Sequence, residues 1–197
     1  MTTISFRATT NAKAKTLSTS KMLYNRDIFL RALEPEDLSL LYEIENDAGL
    51  WQHGANKTPL SRFALKQYLE TSLSQSLFES GELRLVIVGK TDGEALGFID
   101  LIGLDSYHGR AEVGLVVKRA AQGQGYAGQA LETLLGYAQD TLHLHQLTAQ
   151  IAAGNQACRH VFEKAGFCQC GLLRDWLASD KGKFEDVVLY QKLFLVP

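Results

Sequence analysis

The sequence has few cysteines, no long apolar run and almost no net charge, and each scarcity excludes something. Its three cysteines, Cys158, Cys168 and Cys170, are an odd and sparse set in 197 residues. That excludes a disulfide framework and points to a reducing compartment, so a cytoplasmic protein is expected. No apolar stretch is long enough to span a bilayer as a helix. Twenty Lys and Arg against 22 Asp and Glu leave a formal charge of −2. Such a balance gives no general attraction to nucleic acid or to an anionic membrane, and neither is expected as a partner. A ligand recognised by charge must then be read by a local patch. What is present is ordinary globular composition, 46% hydrophobic and 21% charged, with enough chain to bury a core unaided.

Met1 to Lys21 stand apart, with no acidic residue, four basic ones and many Ser and Thr. They lack the apolar centre of a secretory signal, weakly resemble an organelle transit peptide, and read first as a flexible extension or as an upstream start with Met22 as the working initiator. Residues 22–197 are expected to form one domain. Ile28 to Leu33 reads as a strand. Pro35 and the carboxylates Glu36 and Asp37 then suit the free N–H groups of a helix start. That helix is expected to turn Leu38, Leu41, Tyr42 and Ile44 inward. Ser61 can cap a second helix burying Leu65, Tyr68, Leu69 and Leu73. Strands at Leu83–Val88, Ala95–Leu104 and Ala111–Val117 are separated by the turns Thr91-Asp92-Gly93-Glu94 and Ser106-Tyr107-His108-Gly109. A helix from Gly125 to about Thr141, a strand at Gln146–Ile151 and a helix at Asn155–Ala165 follow. Two last strands, Phe167–Leu177 and Phe184–Leu195, flank a Ser179-Asp180-Lys181-Gly182 turn. This order implies a mixed, mostly antiparallel sheet of about seven strands covered by about four helices, an α/β fold.

The most informative segment is Val116-Val117-Lys118-Arg119-Ala120-Ala121-Gln122-Gly123-Gln124-Gly125-Tyr126-Ala127-Gly128. A strand enters a glycine-dense turn that opens a helix. Glycine lets backbone approach a ligand closely, and the free N–H groups at the helix start favour an anion such as a pyrophosphate. The run lacks the Gly-Lys-Ser/Thr ending of a P-loop. Gly123-x-Gly125-x-x-Gly128 has the spacing of the dinucleotide fingerprint, but it follows an antiparallel meander and no acid stands at the required distance beyond it.

Gln122-Gly123-Gln124-Gly125-Tyr126-Ala127 resembles the acetyl-CoA loop, Q/R-x-x-G-x-G/A, of the GNAT acetyltransferases. Asn155-Gln156-Ala157-Cys158 followed by Glu163-Lys164-Ala165-Gly166-Phe167 resembles that family's N-x-x-S/A…E-K-x-G-F signature. Leu30 to Leu38 and Gly109-Arg110-Ala111-Glu112 resemble the branch holding the ribosomal-protein N-terminal and spermidine acetyltransferases. The resemblance covers residues 26–195 and implies the GNAT fold, splayed between strands four and five. It implies acetyl transfer from acetyl-CoA to a primary amine, on a small molecule or a peptide N-terminus, by direct attack and without a metal. By analogy with the family, a homodimer is also expected.

The same resemblance distributes the roles. Leu115, Val116 and Val117 pair their backbone with the pantetheine arm. Gln122, Gly123, Gln124, Gly125, Tyr126, Ala127 and Gly128 hold the pyrophosphate. Asn155 and Phe162 contact the cofactor. Many relatives carry a tyrosine acid where this chain has Phe162, and phenylalanine has no proton to give. Cys158, one helical turn earlier, is the candidate acid, or else a small packing residue. Glu112 is the candidate base or ammonium-binding group, or else a partner for Arg110 or a lysine. A non-catalytic acyl-CoA-binding module is the alternative that Phe162 keeps open.

Other constellations are weaker. His143-x-His145 and Cys168-x-Cys170 do not have zinc spacing and read as alternating positions on strands or strand ends. His53 reads as a surface loop residue or else an acceptor contact, Trp51 and Trp176 as packing or else the border of an acceptor cleft, and Glu43, Glu45 and Asp47 as a solvated helix face or else acidity lent to a cationic acceptor site. The stripe Ala130, Leu131, Leu134, Leu135 and Ala138 reads as core.

Overall fold

The computed structural model describes residues 23–51, 58–178 and 182–194. The extension at residues 1–21, His53 and most of the 179–182 turn lie outside these. Seven strands form one sheet in the order β1-β2-β3-β4-β5-β7-β6. They are β1 (Ile28–Ala32), β2 (Leu83–Gly89), β3 (Ala95–Asp105), β4 (Arg110–Val117), β5 (Gln146–Ala152), β6 (Cys168–Ala178) and β7 (Phe184–Leu193). The described helices are α1 (Leu38–Glu45), α2 (Ala48–Trp51), α3 (Arg62–Ser74), α4 (Leu77–Ser80), α5 (Tyr126–Asp140) and α6 (Gln156–Lys164). The two beyond the expected four, α2 and α4, have four residues each, too short to carry a hydrophobic period.

The first helix begins later than its proline suggests. Pro35–Asp37 form a 3₁₀ turn, and the α-helix starts at Leu38. Asp37 is buried there because it takes Arg31 through two bonds of 2.7 Å and accepts the Glu34 N–H at 2.9 Å. Ser61 caps α3 by accepting the Ala64 N–H at 3.1 Å. Of the residues expected to point inward, Leu41, Ile44, Leu65 and Leu69 are buried, whereas Tyr42 and Leu73 are exposed. Tyr42 lies under the Arg62 guanidinium, 4.4 Å from its ring centre, a contact that suits an exposed aromatic face.

Two cores lie on opposite faces of the sheet. One holds α1 and α3 against Val86, Val88 and Phe98, with Val116 packed beside them. The other holds α5 and α6 against Val113, Val117, Leu147, Ile151 and Tyr190. All five members of the α5 stripe are buried in it. Alternation along β4 therefore turns Leu115 and Val117 to the α5 side and Glu112, Gly114 and Val116 to the α1 side.

β1 to β4 are antiparallel neighbours, and β5, β7 and β6 form a second antiparallel group. The groups meet through three parallel pairs, Arg110↔Gln146, Ala111↔Leu147 and Glu112↔Thr148. Beyond Glu112 the two strands part, as expected between strands four and five. The far edge, β6, slips register against β7 twice, between Gln169 and Gly171 and between Leu173 and Leu177. Asp175, in the second slip, has φ 50° and donates its N–H to Asp186.

Candidate active site

The parting of β4 from β5 leaves Val113 to Val117 bonded to β3 on one side only. Backbone polar groups on the other side need partners, which an extended ligand arm can supply. A cavity of about 830 Å³ lies elsewhere, under α3 and against Arg84 and Asp100. The fork opens into a second cavity of about 970 Å³. Leu115, Val116 and Val117 line the second on one side, and Asn155 and Cys158 on the other. At its end stand Gln122, Gly123, Gly125, Tyr126, Ala127 and Gly128.

That end is built for an anion. Gly123 and Gly125 have φ of 76° and 81°, a conformation costly for residues with a side chain. Gly125 is the N-cap of α5, so the first N–H groups of a 15-residue helix point past it. A Cβ added at Gly123, Gly125 or Gly128 would meet nothing within 4 Å, so the space they face is open. The Gln122 side chain donates to the Val117 carbonyl at 2.9 Å and ties the loop to the end of β4. This geometry fits a pyrophosphate beside a pantetheine arm.

Glu112 occupies the last parallel pair, at the vertex of the fork. It accepts a hydrogen bond from Gln150 Nε2 of β5 at 3.0 Å. Arg110 takes Asp105 instead, at 3.1 Å, so Glu112 is not a structural partner of its neighbouring arginine. Cys158 packs with the α5 core on the other face, and burial pushes its thiol up to about 11. Its N–H donates to the Asn155 side chain at 3.1 Å, which caps α6 and fixes the thiol's place. Glu112 and Cys158 thus belong to opposite faces of the sheet.

Three expected residues do not line the cavity: Glu112, at the vertex of the fork, Phe162 and Gln124. Phe162 is 1% exposed, in edge contact with Phe167 at 5.0 Å, behind the cavity wall. Gln124 turns to the Ala120 carbonyl and does not line the cavity. The structure adds Gly49, Leu50, Arg119 and Val161 to the lining, none assigned from sequence. Only the valine had a signal, since it follows Cys158 by three on α6 and shares its face. Glu45 and Asp47 are not a solvated face, because Glu45 reaches Arg84 at 3.5 Å and Asp47 reaches Arg119 at 3.0 Å. Cys168, Cys170 and Trp176 are exposed on β6. Among the described residues, no three His, Cys, Asp or Glu are grouped to hold a metal ion.

The acetyltransferase (GNAT) domain family matches residues 27–168. The chain belongs to the GNAT acetyltransferase family. As a GNAT member it is an acetyl-CoA-dependent N-acetyltransferase that moves the acetyl group to an amine. Among curated relatives, the protein of Bacillus subtilis named as a ribosomal N-acetyltransferase, YdaF, is 31% identical over 86% of this chain and 92% of its own length. Spermidine N(1)-acetyltransferase of Vibrio cholerae is 26% identical over 83% of this chain and 91% of its own. The crystal structure of a spermidine N-acetyltransferase from Vibrio cholerae, in complex with CoA and spermine, superposes with a TM-score of 0.78. It is 24% identical and covers 86% of this chain and 96% of that one, a likeness of fold. A dodecameric structure of spermidine N-acetyltransferase from that organism is also similar, with a TM-score of 0.73 at 24% identity over 86% of this chain and 95% of that one. No helix among the described residues is long and apolar enough to cross a membrane.

Proposed function

We propose that the fork between β4 and β5 is the reaction centre, and that the acceptor is the primary amine of a small polycationic molecule. The observation that carries this reading is the place of Glu112 at the vertex of the fork, on the face opposite Cys158. Bound along β4, acetyl-CoA supplies a thioester carbonyl that an amine attacks directly, so the chain need furnish no nucleophile. Proximity and alignment then provide much of the rate. Leu115 to Val117 hold the arm by backbone bonds, and Gln122, Gly123 and Gly125 to Gly128 hold the pyrophosphate. Asn155 and Phe162 shape the wall, the first directly and the second from behind. Glu112 holds the ammonium on the α1 side and takes one proton before attack, which frees the nitrogen lone pair that forms the N–C bond. Cys158, protonated at neutral pH and lining the opposite wall of the cavity, serves as the S–H donor to the leaving sulfur. Its raised pKa makes it a reluctant acid, so its loss costs less than the loss of Glu112.

Asp100, opposite Gly114 in the β3–β4 register, and Glu45 are on the acceptor side with Glu112, and their pairing with one arginine, Arg84, leaves a single net negative charge there, which favours a polycation only modestly. The similarity to spermidine acetyltransferases supports the same class. A peptide N-terminus is the second reading, supported by the 31% identity to the ribosomal acetyltransferase relative. A homo-oligomer, working in the cytoplasm, completes the proposal.

Thiol release from acetyl-CoA, measured against polyamines, amino acids, aminoglycosides and short peptides, tests it. Turnover confined to polyamines is expected. Turnover confined to peptides moves the assignment to the second reading. Silence across the panel, with acetyl-CoA bound, favours a non-catalytic binding module.

A further inference from the structure

Alternation along β5 sorts its side chains by chemistry. Leu147, Ala149 and Ile151 enter the core under α5 and α6. Gln146, Thr148 and Gln150 therefore point to the opposite face, the one that carries Glu112. All three are polar and none is charged. Two of them are occupied close to their own strand. Gln146 accepts from Gln191 Nε2 of β7 at 2.6 Å, and the Thr148 hydroxyl donates to the Ala111 carbonyl at 3.5 Å. Gln150 reaches across the fork. It stands two residues past Thr148, the last paired position, so about 6–7 Å farther along a strand that has left β4. Its amide nitrogen nevertheless donates to Glu112 Oε2 at 3.0 Å. A side chain continues the link between the half-sheets where the backbone ladder has ended.

Chemistry decides the direction of this bond, since an ionised carboxylate only accepts and the amide must offer its NH2 group. Among the described residues it is the one bond that the Glu112 side chain makes, and no cation pairs with it. A cation at this place would also fix the carboxylate, but it would cancel the charge that draws an ammonium and compete with it for the oxygens. A neutral amide fixes one oxygen, leaves the other to the acceptor and leaves the negative charge in force. Gln150 is exposed, so the bond contributes little to the stability of the fold. An aimed carboxylate loses less freedom when the ammonium arrives, and it holds the nitrogen in line with the thioester.

We propose that Gln150 is a positioning residue of the acceptor site, which aims the Glu112 carboxylate at the incoming ammonium without neutralising it. This rests on the reading of Glu112 as the group that holds the acceptor and takes its proton. Its consequence is that acceptor use is set from both half-sheets, the carboxylate by β4 and its orientation by β5.

The test is steady-state thiol release from acetyl-CoA, with spermidine and with short peptides as acceptors, and CoA affinity read by calorimetry. The proteins are the full chain, Gln150→Leu, Gln150→Lys, Glu112→Ala and the double variant Glu112→Ala/Gln150→Leu. Gln150→Leu is expected to lower kcat about tenfold, the loss of one charge-assisted hydrogen bond, with CoA affinity unchanged. Gln150→Lys keeps a donor but adds a charge, so it should raise the acceptor KM about tenfold. In the Glu112→Ala background Gln150→Leu should cost nothing further, because a residue that acts through another has no effect once the other is gone. Wild-type kcat in Gln150→Leu overturns the proposal, and so does an acceptor KM unchanged by Gln150→Lys. A tenfold loss that persists in the Glu112→Ala background overturns it too, as does an equal loss of CoA affinity, which marks a strut that merely holds the fork together. Wild-type turnover in Glu112→Ala, or silence of the native chain with every acceptor, is a different failure, which removes the reading of Glu112 and the proposal with it.

Discussion

The sheet is two half-sheets that differ in how completely their backbones are used. β2, β3 and β4 pair along most of their lengths, and β5 pairs with β7 at seven positions, Gln146 to Ala152. Between the halves the ladder stops after three pairs. Where the strands pair, the chain satisfies itself. Where they part, donors and acceptors are left for a ligand, and Glu112 stands at the point where one regime gives way to the other. The proposed site is thus a place where regular structure is left unfinished, and the packing of both halves must hold it open.

The largest expected effect is at the end of the fork. Gly125→Asp puts a carboxylate into a cradle shaped for an anion, at a φ of 81° that side chains rarely adopt, and CoA affinity should fall by about a hundredfold or more, read by calorimetry. Unchanged affinity would break the comparison by removing the ligand from the opening. At the vertex, Glu112→Gln should lower kcat by about a hundredfold with CoA affinity intact, checked by thiol release under saturating acetyl-CoA. Wild-type turnover would reduce Glu112 to a spacer between the halves.

The next expectation sharpens the comparison by asking whether the halves fold together. Arg84 holds the buried Asp100 through two bonds of 3.0 and 2.9 Å, within the first half-sheet. Burial raises the pKa of Asp100, and the guanidinium opposes that shift. Arg84→Ala leaves the carboxyl buried without its partner and should cost about 3–5 kcal/mol in urea denaturation. A single shifted transition means one cooperative unit. Two transitions mean that the three-pair seam lets the halves separate. The smallest effect concerns the second half. With its thiol pushed up to about 11, Cys158 should be about one part in a thousand thiolate at pH 8. Iodoacetamide should therefore modify the exposed Cys168 and Cys170 first, with Cys158 joining only as the pH climbs toward 11, as followed by mass spectrometry.

The glycine loop and the helix behind it were more legible in the sequence than the α1 side of the fork, and the reason is physical. A cradle made of backbone requires glycines, a helix start and an apolar stripe in one continuous stretch, so Gly123, Gly125 and Ala130 to Ala138 could be read in line. Asn155 and Ser61 were legible as caps for the same reason, since capping is local. Asp47 with Arg119 and Glu45 with Arg84 join residues far apart in the chain, and no local pattern announces which carboxylate meets which guanidinium. The exposure of Tyr42 and Leu73 was hidden likewise, because helical period sets a face but neighbours decide its width. That Glu112 ends the parallel ladder depends on register between strands that share no turn.

The irregular outer strand has a consequence for the molecule in concentrated solution. A bare sheet edge invites neighbouring molecules to add strands to it. Over its eleven residues β6 falls out of phase twice, and Asp175 bends the backbone through a left-handed turn within the second slip. An incoming strand finds no long flat template, so the exposed side chains of Leu172 and Trp176 can remain at the surface without seeding fibrous growth.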